Sequence, residues 1–180
     1  DIRLDNDTSL RIILPKLSDF KAQFFDANDF TIHIDVIILI MTVSKPEFKR
    51  GLVDRYLVRA HCWGIPLVLV FNKADERKQA DLDLTFEQLR IKDQILGCYE
   101  VSAKQIDLVP HYLKPDQNFA ALKSFLQNKT ALFVGQSGVG KSHTITSLAD
   151  GKVELKTHKV GKVGKGSHTT TWSELLYLPT

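Results

Sequence analysis

The chain has 180 residues and a formal net charge of +3, with 43% hydrophobic and 25% charged residues. These proportions are ordinary for a soluble globular protein and exclude collagen-like, coiled-coil and disordered chains. The longest strongly apolar run, residues 36–43, is far shorter than the ~20 residues that span a bilayer, so we expect no membrane partner. Cys62 and Cys98 lack metal-type spacing, and we expect both to be buried thiols in a reducing, cytoplasmic compartment.

The predicted elements alternate between strands and helices. Residues 33–43 form a continuous β-branched run, which is typical of a strand buried on both faces of a parallel sheet. In chain order, the predicted elements are a strand at 33–43, a helix at 48–63 ended by Gly64 and Pro66, a strand at 67–71, a charged and solvated stretch at 76–83, a helix at 85–96, a strand at 98–102, a helix at 119–126, and a strand at 131–134 that leads through a glycine-rich loop into a last helix. This alternation predicts an α/β fold with a mostly parallel sheet and helices on both faces, whose ligands bind beyond the carboxyl ends of the strands.

The glycine-rich loop, residues 135–142, reads GQSGVGKS and matches the pattern G-x-x-x-x-G-K-[ST] of P-loop NTPases. Glycines let successive backbone N–H groups point at phosphate oxygens, and the start of the following helix adds partial positive charge. We expect Lys141 to place a full charge on the β- and γ-phosphates and the Ser142 hydroxyl to ligate Mg²⁺. The nucleotide-binding residues predicted in this loop are Gln136, Ser137, Gly138, Val139, Gly140, Lys141, Ser142 and His143.

A second motif indicates which base is bound. Residues 72–75 read N-K-A-D and directly follow a predicted strand. In the pattern N-K-x-D, the Asp75 carboxylate accepts from the N1–H and the exocyclic amine of guanine, whereas adenine would leave a buried Asp unpaired. Asn72 and the stem of Lys73 support the loop and the ring. Alone the pattern is weak, because a solvated helix cap can have the same four residues.

A third motif strengthens the guanine prediction. Residues 101–104 read V-S-A-K and also follow a predicted strand. We expect the backbone N–H groups of this segment to donate to guanine O6 and the stem of Lys104 to cover the ring, which assigns Ser102, Ala103 and Lys104 to the site. Three motifs at three strand ends predict a site for GTP or GDP, since the carboxyl ends of parallel strands meet at one edge of the sheet.

The order of these motifs differs from that of ordinary GTPases, in which the phosphate loop comes first. The segments VDRYLVRAHCWGIPLVLVFNKAD, VSAK, GQSGVGKS and KGSHTTT together resemble the RsgA (YjeQ) family of circularly permuted, ribosome-dependent GTPases, over about residues 32–180. Permutation leaves such a site intact because binding depends on strand-end geometry and not on chain order. The related RbgA-like permuted GTPases are an alternative, but their loop usually reads G-x-P-N-V-G-K-S, and this chain has Gln136 and Ser137 instead.

Residues 152–171 hold five lysines and one acid, with glycines between them. In isolation such a segment is often a solvated basic loop, whereas the resemblance implies a switch loop that orders on GTP and meets rRNA. By the same resemblance, one threonine among residues 169–171 closes over Mg²⁺ and the γ-phosphate, and we favour Thr170 as the metal ligand beside Ser142. His168 is a candidate for positioning the attacking water, with a structural surface histidine as the alternative. Lys141 and His168 are therefore the catalytic candidates.

The resemblance also implies modules beyond this domain. The family has an N-terminal OB-fold barrel, and we expect residues 1–31 to be the tail of such a module or an extra strand, with residues 32–180 forming the permuted GTPase domain. No cysteine follows Cys98, so no zinc site is expected. A D-x-P-G motif would follow residues 175–179 in the family, but the sequence ends at Thr180. We therefore expect a GTPase domain that is incomplete at its C-terminus and impaired in hydrolysis.

The resemblance implies a monomeric GTPase that docks on the small ribosomal subunit and its rRNA and hydrolyses GTP during late maturation of that subunit. Two alternatives stay open. The first is a protein that binds guanine nucleotides without turnover. The second is a nucleotide kinase or ATPase that shares only the phosphate loop, and the N-K-x-D and S-A-K motifs argue against it.

Overall fold

The computed structural model describes residues 34–77 and 83–152 in full and the backbone of residues 9–13 and 175–179. The strands are β1 (Ser9–Ile13), β2 (Val36–Thr42), β3 (Leu67–Asn72), β4 (Gly97–Glu100), β5 (Thr130–Val134) and β6 (Leu175–Pro179). They form one sheet in the order β4-β3-β2-β5-β1-β6. All neighbours in it are parallel except β1 and β6. The predicted mostly parallel sheet is therefore confirmed.

Four helices connect the strands within the described residues: α1 (Arg50–Trp63), α2 (Leu84–Ile91), α3 (Phe119–Leu126) and α4 (Lys141–Leu148). Their ends have local causes. Asp83 and Asn118 cap α2 and α3 by accepting from backbone N–H groups three residues ahead, which satisfies donors that a helix start leaves unpaired. Gly64 ends α1 in the left-handed conformation, at φ 65°, as predicted.

Strand β2 is the centre of the hydrophobic core, because every one of its residues is buried. Ile38 and Ile40 belong to a cluster with α3 and α4, whereas Ile37, Leu39 and Met41 belong to a cluster with α1 and α2. Successive strand residues point to opposite faces of a sheet, so the two clusters lie on its two sides. Helices on both faces are thereby confirmed, and each fully buried aliphatic side chain contributes roughly 1.5–3 kcal/mol to the core.

Some sequence predictions are wrong in detail. The helix predicted at 85–96 ends at Ile91, because the polar residues 92–94 form a turn and add nothing to the buried face of the helix. Cys98 is buried as predicted, and burial raises the pKa of its thiol to about 12. Cys62 is exposed, because it lies outside the buried stripe of α1, which Val53 and Ala60 help to form.

Strand β1 lies inside the sheet, between β5 and β6, with Ile12 in register with Ala131 of β5. The division of the chain at residue 31 stays a prediction. Within the described ranges, no helix combines the length and the apolar character needed to cross a bilayer.

Candidate guanine-nucleotide site

Strand order brings the three sequence motifs together. The N-K-A-D segment begins at the last residue of β3, the V-S-A-K segment follows β4, and the phosphate loop follows β5, with β2 between β3 and β5. Two hydrogen bonds of Asn72 join all three. Its Nδ2 donates to Val139 O in the phosphate loop at 2.9 Å, and its Oδ1 accepts from the backbone N–H of Ala103 at 3.1 Å. Asn72 is therefore a junction that sets the spacing between the base-binding and phosphate-binding loops.

The glycines of the phosphate loop allow this close packing. Gly135 and Gly140 have φ values of 150° and 92°. A Cβ on Gly135 would lie 2.2 Å from Ile40 O, and a Cβ on Gly140 would lie 2.4 Å from Asn72 Nδ2. Both distances are far too short for real contacts, so only glycine lets the loop lie against β2 and leaves Asn72 its bond to Val139.

Lys141 is the cation of the loop. Its Nζ donates to Gly135 O at 3.0 Å and to Gln136 O at 2.7 Å, and burial lowers its pKa to about 8. Among the described residues, no carboxylate forms an ion pair with it. A half-buried ammonium that bonds only to carbonyl oxygens among the described residues would be stabilised by an anion, and the loop therefore suits a phosphate group.

Ser142 and His143 follow Lys141 on the first turn of α4, where Ser142 is half-buried and His143 is exposed. Residues 34–77 and 83–152 contain no group of three or more His, Cys, Asp or Glu side chains that could hold a metal ion. Mg²⁺ at nucleotide sites takes few protein ligands and binds substrate phosphates as well. A single hydroxyl such as that of Ser142 therefore fits Mg²⁺ bound together with a nucleotide.

The base-binding half is organised around Asp75. Its Oδ1 accepts from Ser102 Oγ at 2.6 Å, and its Oδ2 lies 4.0 Å from Lys104 Nζ. The carboxylate thus has one oxygen bonded to Ser102 and the other in a long ion pair with Lys104. Acceptance of guanine N–H groups by Asp75 stays a prediction. Lys73 adopts φ 63°, and its Nζ donates to Lys45 O at 2.6 Å, which anchors its stem beside the site.

The backbone N–H groups of the V-S-A-K segment have partners within the protein. The Ala103 N–H donates to Asn72 Oδ1 at 3.1 Å, and the N–H groups of Lys104 and Gln105 donate to Ser102 Oγ at 3.2 and 3.0 Å. Donation from this segment to guanine O6 stays a prediction. It requires an amide that shares its hydrogen between two acceptors or changes partner.

The segment 43–48, which follows β2, contacts both halves of the site. Its Ser44 Oγ donates to Glu76 Oε2 at 2.9 Å, and Glu76 Oε1 accepts from Lys104 Nζ at 2.7 Å. The hydrogen bonds from Lys104 and Ser44 lower the pKa of Glu76. The sequence analysis assigned no role to this segment, although its place at the end of a buried strand was a signal that it faces the site.

The segment 43–48 also reaches the phosphate loop. The side chain of Gln136 donates to Glu47 O at 3.5 Å, and a Cβ on Gly138 would lie 3.7 Å from Pro46 Cδ. This segment therefore packs against both the N-K-A-D loop and the phosphate loop, across the end of β2.

A buried ion pair lies behind the base-binding loops. Arg77 Nη1 donates to Glu100 Oε1 at 3.1 Å, and the guanidinium stacks on Tyr112 at 3.5 Å from the ring centroid. Glu100 Oε2 accepts from the backbone N–H groups of Tyr112 and Leu113. The prediction that 76–83 is solvated is wrong at Arg77, whose side chain is 6% exposed. The pair therefore connects the N-K-A-D loop, two residues after Asp75, to the end of β4, immediately before the V-S-A-K segment.

His168 and Thr170 lie outside the described residues, so their predicted roles stay predictions.

Comparison with known proteins agrees with this geometry. The profile of the family described as RsgA GTPase matches residues 18–180. The chain belongs to the RsgA GTPase family. Its α/β fold and its motif order, with the phosphate loop last, are those of a circularly permuted GTPase, and the family that matches is the one that the sequence resembles.

Individual relatives of the RsgA family show the same likeness. A protein of Flavobacterium psychrophilum named small ribosomal subunit biogenesis GTPase RsgA is 33% identical over 79% of this chain and 41% of its own length. A protein of the same name from Chlorobaculum parvum is 38% identical over 82% of this chain and 43% of its own length. The crystal structure of YjeQ from Thermotoga maritima superposes with a TM-score of 0.56, at 28% identity, over 69% of this chain and 41% of that one. The chain thus spans about two fifths of the length of these relatives.

Proposed function

We propose that this chain binds GTP with Mg²⁺ and hydrolyses it to GDP and phosphate. The observation that carries the proposal is the junction at Asn72, where the N-K-A-D loop, the V-S-A-K loop and the phosphate loop meet. The relatives are named small ribosomal subunit biogenesis GTPases, which supports the small ribosomal subunit as the partner. From the resemblance we also propose contact with its rRNA during late maturation. We further propose a monomer that acts in the cytoplasm, where that partner is assembled.

The two halves of the site have separate tasks in this proposal. Asp75 and the amides around Ala103 select the base, while the loop N–H groups and Lys141 hold the phosphates. Lys141 is already desolvated, so its charge acts at low effective dielectric on the negative charge that develops at the γ-phosphate during in-line attack by water.

Ser142 and two residues of the segment 152–171, His168 and Thr170, complete the proposed mechanism. Ser142 and Thr170 would hold Mg²⁺, which would supply additional positive charge to the bound phosphates. His168 orients the attacking water through its imidazole.

The test is turnover of GTP and of ATP by the purified chain, with and without purified small ribosomal subunits. We expect slow hydrolysis of GTP, in keeping with the impairment expected from the sequence, that small subunits increase. We also expect little hydrolysis of ATP, and loss of both basal and stimulated activity in Lys141→Ala. Tight GDP binding without turnover under either condition would instead support the guanine-binding protein without turnover. Equal use of ATP would support a P-loop ATPase, and either outcome contradicts the proposal.

A further inference from the structure

Ser147 lies near the C-terminal end of α4, six residues after Lys141. Its Oγ donates to the backbone carbonyl of Ala103 at 2.8 Å, across 44 residues of sequence. Ser147 belongs to none of the nucleotide-binding motifs, yet its hydrogen bond ends in the V-S-A-K loop. The contact therefore links the helix of the phosphate loop to the loop expected to read the base.

Ala103 is held from two sides. Its N–H donates to Asn72 Oδ1 at 3.1 Å, and its carbonyl accepts from Ser147. The carbonyl of Ala103 and the N–H of Lys104 belong to one planar peptide group. A bond to that carbonyl therefore fixes the direction of the Lys104 N–H as well. A donor at the carbonyl also polarises the amide and strengthens its N–H as a donor.

Both anchors of Ala103 lead to the phosphate loop. Asn72 donates to Val139 O in that loop, and Ser147 connects through one helix to Lys141, where α4 begins. A helix of this length is rigid along its hydrogen-bonded axis. Ala103 is thus positioned relative to the phosphate loop by two independent contacts, and only the one through Asn72 involves a recognised motif residue.

We propose that Ser147 is a positioning residue for base recognition, which holds the peptide group between Ala103 and Lys104 so that the Lys104 N–H can be shared between Ser102 Oγ and the 6-keto oxygen of guanine. The inference rests on the proposed function, because it requires that a guanine nucleotide occupies this site. Its effect is confined to ligands that carry the keto oxygen. This selectivity distinguishes it from a general effect on the stability of the fold.

Three diphosphates separate the possibilities. GDP and IDP both carry the 6-keto oxygen, whereas 2-aminopurine riboside 5′-diphosphate lacks it. We expect Ser147→Ala to weaken GDP and IDP binding by a similar factor, about two- to tenfold, which is the effect of one neutral hydrogen bond. The affinity for the 2-aminopurine nucleotide, followed by its fluorescence, should stay unchanged. Ser147→Thr keeps a hydroxyl and should restore most of the GDP and IDP affinity.

The control is Ser124→Ala on α3, an exposed serine that should leave all three affinities unchanged. Equal loss on all three ligands in Ser147→Ala would show a structural role and overturn the inference, as would no loss on any of them. If Ser147→Ala does not fold, Ser147→Thr provides the test. It should prefer GDP and IDP over the 2-aminopurine nucleotide as strongly as the parent does, and loss of that preference would overturn the inference. A parent chain that binds the three ligands equally would overturn the guanine assignment itself and this inference with it.

Discussion

The ammonium of Lys141 is a half-buried charge at the start of α4. It is held by the carbonyls of Gly135 and Gln136, and burial lowers its pKa from 10.5 to about 8. Below about pH 8, folding therefore moves the charged ammonium out of water into a site where it is less well solvated. The difference between the two pKa values corresponds to about 3 kcal/mol of lost stability, which disappears as the pH rises from about 8 to 10.5.

We therefore expect Lys141→Met to raise the free energy of unfolding at pH 7, in the absence of nucleotide, by up to about 3 kcal/mol. The gain should shrink towards pH 10. The same change should weaken GTP binding by about one to two orders of magnitude, because a charge-assisted contact is lost. Urea unfolding at pH 7 and pH 10 measures the first effect, with the exposed Lys92→Met as control. A variant less stable than the parent at pH 7 would contradict the assigned burial cost.

In our interpretation Asp75 determines which base is bound. Its hydrogen bond to Ser102 can be kept in Asp75→Asn, so this substitution changes base preference with little other disturbance. Asp75 Oδ1 accepts from Ser102 Oγ, and an amide oxygen in Asp75→Asn can accept the same bond. The new amide nitrogen can donate to the 2-keto group of xanthine, so we expect GDP affinity to fall and XDP affinity to rise. Calorimetric titration with GDP and XDP measures the exchange. Unchanged GDP affinity would exclude Asp75 as the guanine acceptor.

Gly140 and Gly151 both lie in tight turns, but they differ in how closely other atoms approach them. Gly140 and Gly151 both have positive φ, at 92° and 75°. A Cβ on Gly140 would lie 2.4 Å from Asn72 Nδ2, whereas a Cβ on Gly151 would meet nothing within 4 Å. The two positions share the backbone strain that an alanine would suffer, and only one adds a steric clash.

We expect Gly140→Ala to weaken GDP binding by at least an order of magnitude, because it separates Asn72 from Val139 and so disturbs both halves of the site. Gly151→Ala is the matched control. It should cost about 1–2 kcal/mol of stability through backbone strain and leave GDP affinity intact. Thermal unfolding and GDP titration of both variants test this pair. Equal loss of affinity in the two would mean that strain, and not the clash at Asn72, matters.

The permuted chain still brings its motif loops to one edge of the sheet, because β2 places the loops after β3 and β5 on its two sides. A ligand that bridges these loops should stabilise the fold as a unit. At a GDP concentration one hundred times its Kd, we expect about 2.7 kcal/mol of added stability. For a chain of this size, that corresponds to a rise in Tm of about 5–10 °C. Differential scanning calorimetry with GDP and with ADP at the same concentration measures it. A similar shift with ADP would argue for an ATP-binding protein.

The amino-acid sequence contained the parts of this protein that depend on local pattern. The unbroken apolar run of β2 predicted burial on both faces, and the spacing of glycines with Lys141 predicted the phosphate loop. Asn72, Asp75 and Ser102 were assigned from short motifs at strand ends. These features follow from residue type and spacing, because backbone conformation and strand burial are set within a few neighbouring residues.

Other features came only from the way distant segments pack. The bonds of Ser147 to Ala103 and of Ser44 to Glu76 join residues 44 and 32 positions apart, and no local pattern encodes such pairs. The burial of Arg77 depends on Glu100 and Tyr112, so a charged stretch that looked solvated contains a buried ion pair. The lowered pKa of Lys141 likewise results from burial by the residues that pack around the phosphate loop. Strand order determines which strand ends are neighbours, and those neighbours determine the dielectric surroundings and hydrogen-bond partners of each side chain.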